Sequence, residues 1–272
     1  MKPEIFNFFT MLVERASGIS IKSGKEYLLQ SRLDELARTL GYRDHEKLYE
    51  VARTKLTRQL LDQIVDALTT NETYFFRDQH PFETLRRVII PELKKKRERE
   101  KRLRFWSAAC STGQEPYSLA ILLREYFPDL VKSWHIEILA SDISESALKK
   151  AREGVYNQIE VNRGLPVTFL VKYFKQVAAH WRISDEIRRM VTFKRINLVE
   201  PFPVMHQFDV ILCRYVLIYF SQPMKKRVWE NLCRALAPGG YILLGATEIP
   251  PELPADMEKK VLGKTVCFRK KD

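Results

Sequence analysis

The stretch Phe105 to Leu123, FWSAACSTGQEPYSLAILL, joins a short apolar run to a helix through a turn built almost wholly of small residues. Leu103 to Trp106 reads as a strand, Ser107 to Gly113 as a loop, and Tyr117, Leu119, Ala120, Leu122 and Leu123 supply the apolar positions of the helix. Small residues at such a turn let a ligand approach the backbone closely. A second apolar run (Ile136, Ile138, Leu139, Ala140) ends in Asp142, where a carboxylate at a strand's C-terminal end can accept hydrogen bonds from both hydroxyls of a ribose. The loop has one glycine, Gly113, and lacks the G-x-G-x-x-G of a pyrophosphate-binding turn, so adenosine without phosphates fits better than a dinucleotide. S-adenosylmethionine, which joins adenine and ribose to a charged amino-acid tail, matches these features. The structural alternative is an ordinary α/β turn in which Asp142 or Ser144 caps the helix Glu145 to Arg152.

Composition sets the outer bounds. With 272 residues, 45% of them hydrophobic, the chain can bury one large core, or one large and one small. No apolar run approaches the ~20 residues that span a bilayer. The N-terminus MKPEIFNFF lacks the charged-then-apolar pattern of a signal peptide, so a cytoplasmic location without membrane insertion is expected. Cys110, Cys213, Cys233 and Cys267 have no C-x-x-C spacing and the five histidines are dispersed; reduced thiols and no metal site are expected. A net charge of +12 calls for a polyanionic or acidic partner, with nucleic acid, a membrane surface and an acidic protein all compatible.

Residues 3–15, 25–40, 45–53 and 57–69 read as amphipathic helices, the second carrying Leu28, Leu29, Leu33, Leu36 and Leu40 and stopping at Gly41. Lys25, Arg32 and Arg38 are expected on roughly one face of that helix, as a grip for an acidic helical surface or as a plain solvated face. The densest charge run, KKKREREKRLR at 94–104, reads as a solvated linker helix. Beyond it strands and helices alternate, which gives a mostly parallel sheet covered on both faces. Its later elements are a strand Phe208 to Cys213, a helix 222–236, a strand Tyr241 to Ala246 after Pro238-Gly239-Gly240, and a last strand Val261 to Arg269. Between 156 and 195 aromatic and β-branched residues around polar turns suggest a small antiparallel insertion, with Asp185 to Met190 as a possible helical turn. The expected organisation is a helical domain at 1–78, a linker at 79–102 and an α/β domain at 103–272 with a small β subdomain at 156–195.

Several blocks in this order carry a resemblance: TNETYFFRD at 70–78, WSAACSTGQEPYSLA at 106–120, ASDIS at 140–144, INL at 196–198, CRYVLIYF at 213–220 and LAPGGYILLGATE at 236–248. Together they resemble the CheR chemotaxis receptor methyltransferases, which move a methyl group from S-adenosylmethionine to glutamate side chains of bacterial chemoreceptors and release S-adenosylhomocysteine. The resemblance implies a class I, Rossmann-like methyltransferase domain preceded by an all-α domain. Carried over by position, it makes Asn71, Thr73, Arg77, Glu115, Asp142, Asn197, Leu198, Arg214 and Tyr215 cofactor contacts. It places Tyr219 and Arg77 beside the reacting methyl. It makes Lys25, Arg32 and Arg38 contacts to the acidic helical bundle of a receptor's cytoplasmic domain, and the inserted sheet a docking edge for a receptor's C-terminal tail in some members.

Two positions depart from the family's usual pattern: Tyr215 stands where Asn is usual, and Gln114 where Glu is common. Two other functional classes compete. A nucleic-acid methyltransferase would suit the basic charge, but no N-P-P-Y or D-P-P-Y tetrapeptide follows Phe208 to Leu212 and no Pro-Cys dipeptide is present. A non-catalytic binder of S-adenosylmethionine or of an acidic partner is the other, against which the intact Arg77 and Tyr219 argue.

Overall fold

The computed structural model describes residues 1–202 and 206–272, which divide into two compact units. The first comprises Met1–Thr70 with Tyr219–Lys225. Its helices are α1 (Pro3–Ser17), α2 (Glu26–Thr39), α3 (His45–Thr54) and α4 (Arg58–Leu68). Each buries a stripe at three- and four-residue spacing, for example Ile5, Phe9 and Val13 on α1 and Leu29, Leu33 and Ala37 on α2. The boundaries follow local chemistry. Gly18 ends α1 in the left-handed region at φ 74°. Asp44 and Thr57 cap α3 and α4 by accepting the N–H groups of Lys47 (2.9 Å) and Leu60 (3.1 Å). Asp34 on α2 fastens the start of α3, its Oδ1 accepting the His45 backbone N–H at 2.8 Å and lying 2.7 Å from His45 Nδ1. The returning segment closes this unit through an antiparallel bridge between Ile19 and Phe220 and a bond from Ser20 N–H to the Tyr219 carbonyl (2.7 Å).

The expected cationic stripe on α2 needs correction. A six-residue step turns a helix by about 600°, leaving Arg38 about 120° away from Arg32. Lys25 and Arg38 are exposed, whereas Arg32 is half-buried and donates to the Leu68 (3.2 Å) and Thr69 (2.8 Å) carbonyls, satisfying the end of α4.

The second unit comprises Asn71–Ile218 and Lys226–Asp272. Its strands are β1 (Arg102–Ala108), β2 (His135–Asp142), β3 (Val155–Asn157), β4 (Phe174–Val177), β5 (His180–Ile183), β6 (Val191–Arg195), β7 (Phe208–Cys213), β8 (Leu236–Leu244), β9 (Met257–Leu262) and β10 (Thr265–Lys270). Seven form one sheet in the order β6-β2-β1-β7-β8-β10-β9, parallel from β6 to β8 and antiparallel at β10. Helices flank these strands, and β7 accordingly is buried at every position. Strand order reverses between β1 and β7, so the crevice at their carboxyl ends is where an open sheet of this kind binds ligands. β3, β5 and β4 form a separate three-stranded antiparallel sheet.

Three sequence expectations change here. Most of the stretch expected as a linker is core structure: His80–Thr84, a π-helical turn Leu85–Ile89 and Ile90–Lys96 run on as one helical stretch, with Phe82, Leu85, Ile89, Ile90 and Leu93 buried in the main core, and only the turn at 97–101 connects it to β1. The π turn lies just before Pro91, which has no N–H to continue an i to i−4 ladder. The stretch expected as an insertion yields its last strand, β6, to the main sheet beside β2. The expected closing strand is a hairpin, because Gly263 (φ 62°) and Lys264 turn the chain back and pair β9 with β10.

Candidate cofactor site

The loop after β1 is shaped by backbone conformations that large residues avoid. Ala109, Ser111 and Gly113 all have positive φ (64°, 51° and 93°). At Gly113 an added Cβ would lie 2.9 Å from Ala151 Cβ and 3.2 Å from the Tyr156 hydroxyl, so glycine is required twice over. Asp142, at the end of β2 and 6% exposed, holds this loop: one oxygen accepts the Ser111 N–H (2.7 Å) and the other the Ser144 N–H (2.9 Å). Ser144 in turn caps the helix Glu145–Glu153 by accepting the Ala147 N–H at 3.0 Å. The Ser111 hydroxyl donates to the Asn71 carbonyl (2.8 Å), bringing Asn71 and Asp142 to one loop. Asn197 and Leu198 follow β6 beside it, where Ile196 N–H reaches the Asp142 carbonyl (3.1 Å); Asn197 donates to Glu200 (3.0 Å) and Leu198 is buried.

A second cluster lies at the ends of β1 and β7. Glu115 opens the helix Gln114–Tyr126; its carboxylate accepts from the Ser107 hydroxyl (2.7 Å) and from Arg214 (2.9 Å). The Arg214 side chain, 2% exposed, also donates to Asp78 (2.6 Å) and to the Arg77 carbonyl (2.7 Å). Two carboxylates therefore flank one buried cation, which is paired on both sides away from water. Arg77 is placed differently. Its guanidinium stands 3.9 Å from the ring centroid of Tyr215 and 5.4 Å from that of Tyr74, and donates to the Glu72 carbonyl (2.9 Å). Among the described residues no carboxylate accepts a hydrogen bond from it; the Glu72 carboxylate, bonded to Arg163 (2.8 Å), feels its charge from farther off. Thr73 is half-buried in the same segment.

The Tyr215 hydroxyl donates to Asp78 at 2.5 Å. Burial, and then that bond to the carboxylate, raise its pKa, so it remains a proton donor at neutral pH. Cys110 and Cys213 border the same region, but burial first and neighbouring carboxylates second push both thiols well above their ordinary value, which leaves neither as a nucleophile. Tyr219 ends a single 3-10 turn, Leu217–Tyr219, and packs with the first unit.

Sequence reasoning missed four supporting residues: Ser107, Ser111, Asp78 and Glu248. Glu248 is 8% exposed and gathers the N–H groups of Tyr215 (2.5 Å), Gly245 (2.8 Å) and Ile218 (3.2 Å), fixing the turn after β7. The available signal was adjacency: Asp78 follows Arg77, and Glu248 closes the LGATE block. S-adenosylmethionine fits what is present. The small-residue loop admits a nucleoside against the backbone, and Arg214 Nε is a buried donor without an acceptor among the described residues, which an amino-acid carboxylate supplies.

A family model described as the CheR methyltransferase all-alpha domain matches residues 4–69, and one described as the CheR methyltransferase SAM binding domain matches residues 71–266. Chemotaxis protein methyltransferase 1 of Pseudomonas aeruginosa is 37% identical over 269 residues, 98% of this chain and 97% of that protein. Chemotaxis protein methyltransferase Cher2 of Pseudomonas putida is 37% identical over 252 residues, 92% of this chain and 91% of its own. Chemotaxis protein methyltransferase 1 of Vibrio cholerae is 38% identical over 244 residues, 88% and 87% of the two chains.

Proposed function

Because this chain belongs to the CheR family of S-adenosylmethionine-dependent methyltransferases, we propose that it methylates glutamate side-chain carboxylates on the cytoplasmic part of methyl-accepting chemoreceptors. S-adenosylmethionine supplies an activated methyl on a sulfonium, so transfer forms a carbon–oxygen bond to the carboxylate as the carbon–sulfur bond breaks, leaving S-adenosylhomocysteine. A glutamate with a pKa near ~4.3 is already an anion at neutral pH, and no strong base is needed. The chain's task is to align the carboxylate with the methyl and to exclude water, which assigns the rate gain to proximity and electrostatic positioning.

The observation that carries this reading is the contrast between two arginines. Arg214 is ion-paired with both Asp78 and Glu115, with its Nε left for the cofactor, whereas Arg77 is held by stacking and one carbonyl, with no carboxylate accepting its remaining donors among the described residues. An arginine so held suits an incoming carboxylate, which it orients by charge-assisted hydrogen bonds. By their place in the family pattern, Asn71, Thr73, Glu115, Asp142, Asn197, Leu198, Arg214 and the backbone of Tyr215 bind the cofactor, and the Tyr219 hydroxyl orients without neutralising. Lys25 and Arg38, two of the exposed cations of the helical unit, are the ones that the family pattern sets against the acidic receptor bundle.

The test is incubation with methyl-labelled S-adenosylmethionine and receptor cytoplasmic fragments, scoring label released as methanol by mild base. Base-labile label that disappears when the receptor glutamate is replaced by alanine, and that falls at least about 100-fold in Arg77→Ala, supports carboxyl methyl transfer. Label on nucleic acid, or cofactor binding without label on any receptor fragment, overturns it.

A further inference from the structure

Tyr215 occupies a backbone region that disfavours a bulky side chain. Its φ is 59°, a conformation that Asn tolerates and Tyr does not readily adopt. The ring is nevertheless fixed on every side for which a contact exists. A Cβ on Gly245 would come within 2.9 Å of Tyr215 Cδ1, so only glycine lets the ring lie there. The backbone N–H is taken by Glu248 (2.5 Å), and the hydroxyl donates to Asp78 (2.5 Å) while accepting weakly from Ala246 N–H (3.4 Å). What this costly placement achieves is a rigid aromatic face 3.9 Å from the Arg77 guanidinium. Stacking on such a face holds a guanidinium while leaving its in-plane donors available, which an ion pair would not.

We infer that Tyr215 is a positioning residue: its ring sets the plane of Arg77 for the acceptor carboxylate, and its hydroxyl locks that ring to Asp78, the same carboxylate that neutralises Arg214. The inference rests on the proposed role of Arg77. It gives the Tyr215 side chain a task directed at the methyl acceptor, distinct from the cofactor contact that the family pattern assigns to this position. The cluster Arg77, Tyr215, Asp78, Arg214 and Glu115 is then one connected device, with its cofactor side fixed by ion pairs and its acceptor side by stacking.

Two variants and two readouts decide it. Tyr215→Asn accommodates the left-handed backbone but removes ring and hydroxyl; Tyr215→Phe keeps the ring. In the full-length protein the Arg77 side-chain Nε–H signal, assigned by its loss in Arg77→Lys, reports guanidinium order by nuclear relaxation without any turnover. Kinetics with a receptor fragment and calorimetry with S-adenosylhomocysteine report the rest. The expected result is an ordered Arg77 signal in wild type and Tyr215→Phe that becomes mobile in Tyr215→Asn. With it, receptor KM rises about tenfold in Tyr215→Asn and less than about threefold in Tyr215→Phe, while the S-adenosylhomocysteine Kd stays within about twofold. An Arg77 signal equally ordered in Tyr215→Asn overturns the inference, as does a loss of S-adenosylhomocysteine affinity that matches the loss of activity. Failure of the wild type to methylate any receptor overturns the acceptor reading instead, and the relaxation measurement still decides the role of Tyr215.

Discussion

Arg77 and Arg214 are separated by what neutralises them, and the difference has an energetic signature. Arg214 has a side chain 2% exposed between Asp78 and Glu115. Removing Glu115 leaves Arg214 charge-balanced by Asp78 alone but strands the Arg214 Nη1 donor and the Ser107 hydroxyl in a buried site, a loss at the lower end of the ~3–5 kcal/mol range for broken buried pairs. Glu115→Ala is therefore expected to destabilise the chain by about 3 kcal/mol and to abolish S-adenosylhomocysteine binding. Arg77→Ala loses a half-buried stack and is expected to cost about 1 kcal/mol. Denaturant melts and calorimetry on the two variants check the ordering. Equal small shifts in both would mean that Arg214 is more hydrated than its surroundings imply.

At the scale of elements, the link between α2 and α3 is the clearest to probe. Burial works to raise the pKa of Asp34, but the hydrogen bonds from the His45 backbone and ring outweigh it and hold the carboxyl below its ordinary value. A depressed folded pKa contributes stability that is fully present above the unfolded value of ~3.9 and is lost as pH falls through the lower folded value. Asp34→Asn should cost about 1–2 kcal/mol near pH 7. The gap from wild type should close progressively below roughly pH 4. Urea melts at several pH values measure that gap; a constant gap would rule the carboxylate charge out as its source. The same elements show what was legible in sequence. Of the apolar stripe read on α2, Leu29 and Leu33 are buried and Leu36 and Leu40 pack at the core's edge, whereas Leu28 is 47% exposed and Ala37 takes the third buried place. The strand FDVILC and the small-residue turn before Gly113 are legible from their apolar run and residue size. The helical stretch from His80 to Lys96 was hidden because the charge of Lys94 to Lys96 and the following residues masks Leu85, Ile89, Ile90 and Leu93, and because Pro91 argues locally against a helix. The partners of Arg32 and Arg214 lie on other elements, and no spacing rule along one helix reaches them.

For the whole molecule, the charge of +12 bears on association with the proposed acidic receptor bundle. Lys25→Glu with Arg38→Glu is expected to raise receptor KM at least about fivefold at low salt and to leave S-adenosylhomocysteine affinity unchanged, with the difference shrinking as ionic strength passes ~0.15 M. Arg32→Glu belongs to another category, since it removes the donors that close α4 and adds a carboxylate beside two carbonyls; it should lower the stability of the helical unit itself. Receptor-titrated methylation at two salt concentrations, alongside circular dichroism melts, separates the two outcomes. The helical unit also borrows Tyr219–Lys225 from far along the chain, where Phe220 bridges Ile19. During synthesis at ~5–20 residues per second, α1 to α4 leave the ribosome many seconds before that segment exists. Its nascent form must wait with Ile19 and Ser20 unpaired, and completion of the first unit is timed by translation of the second.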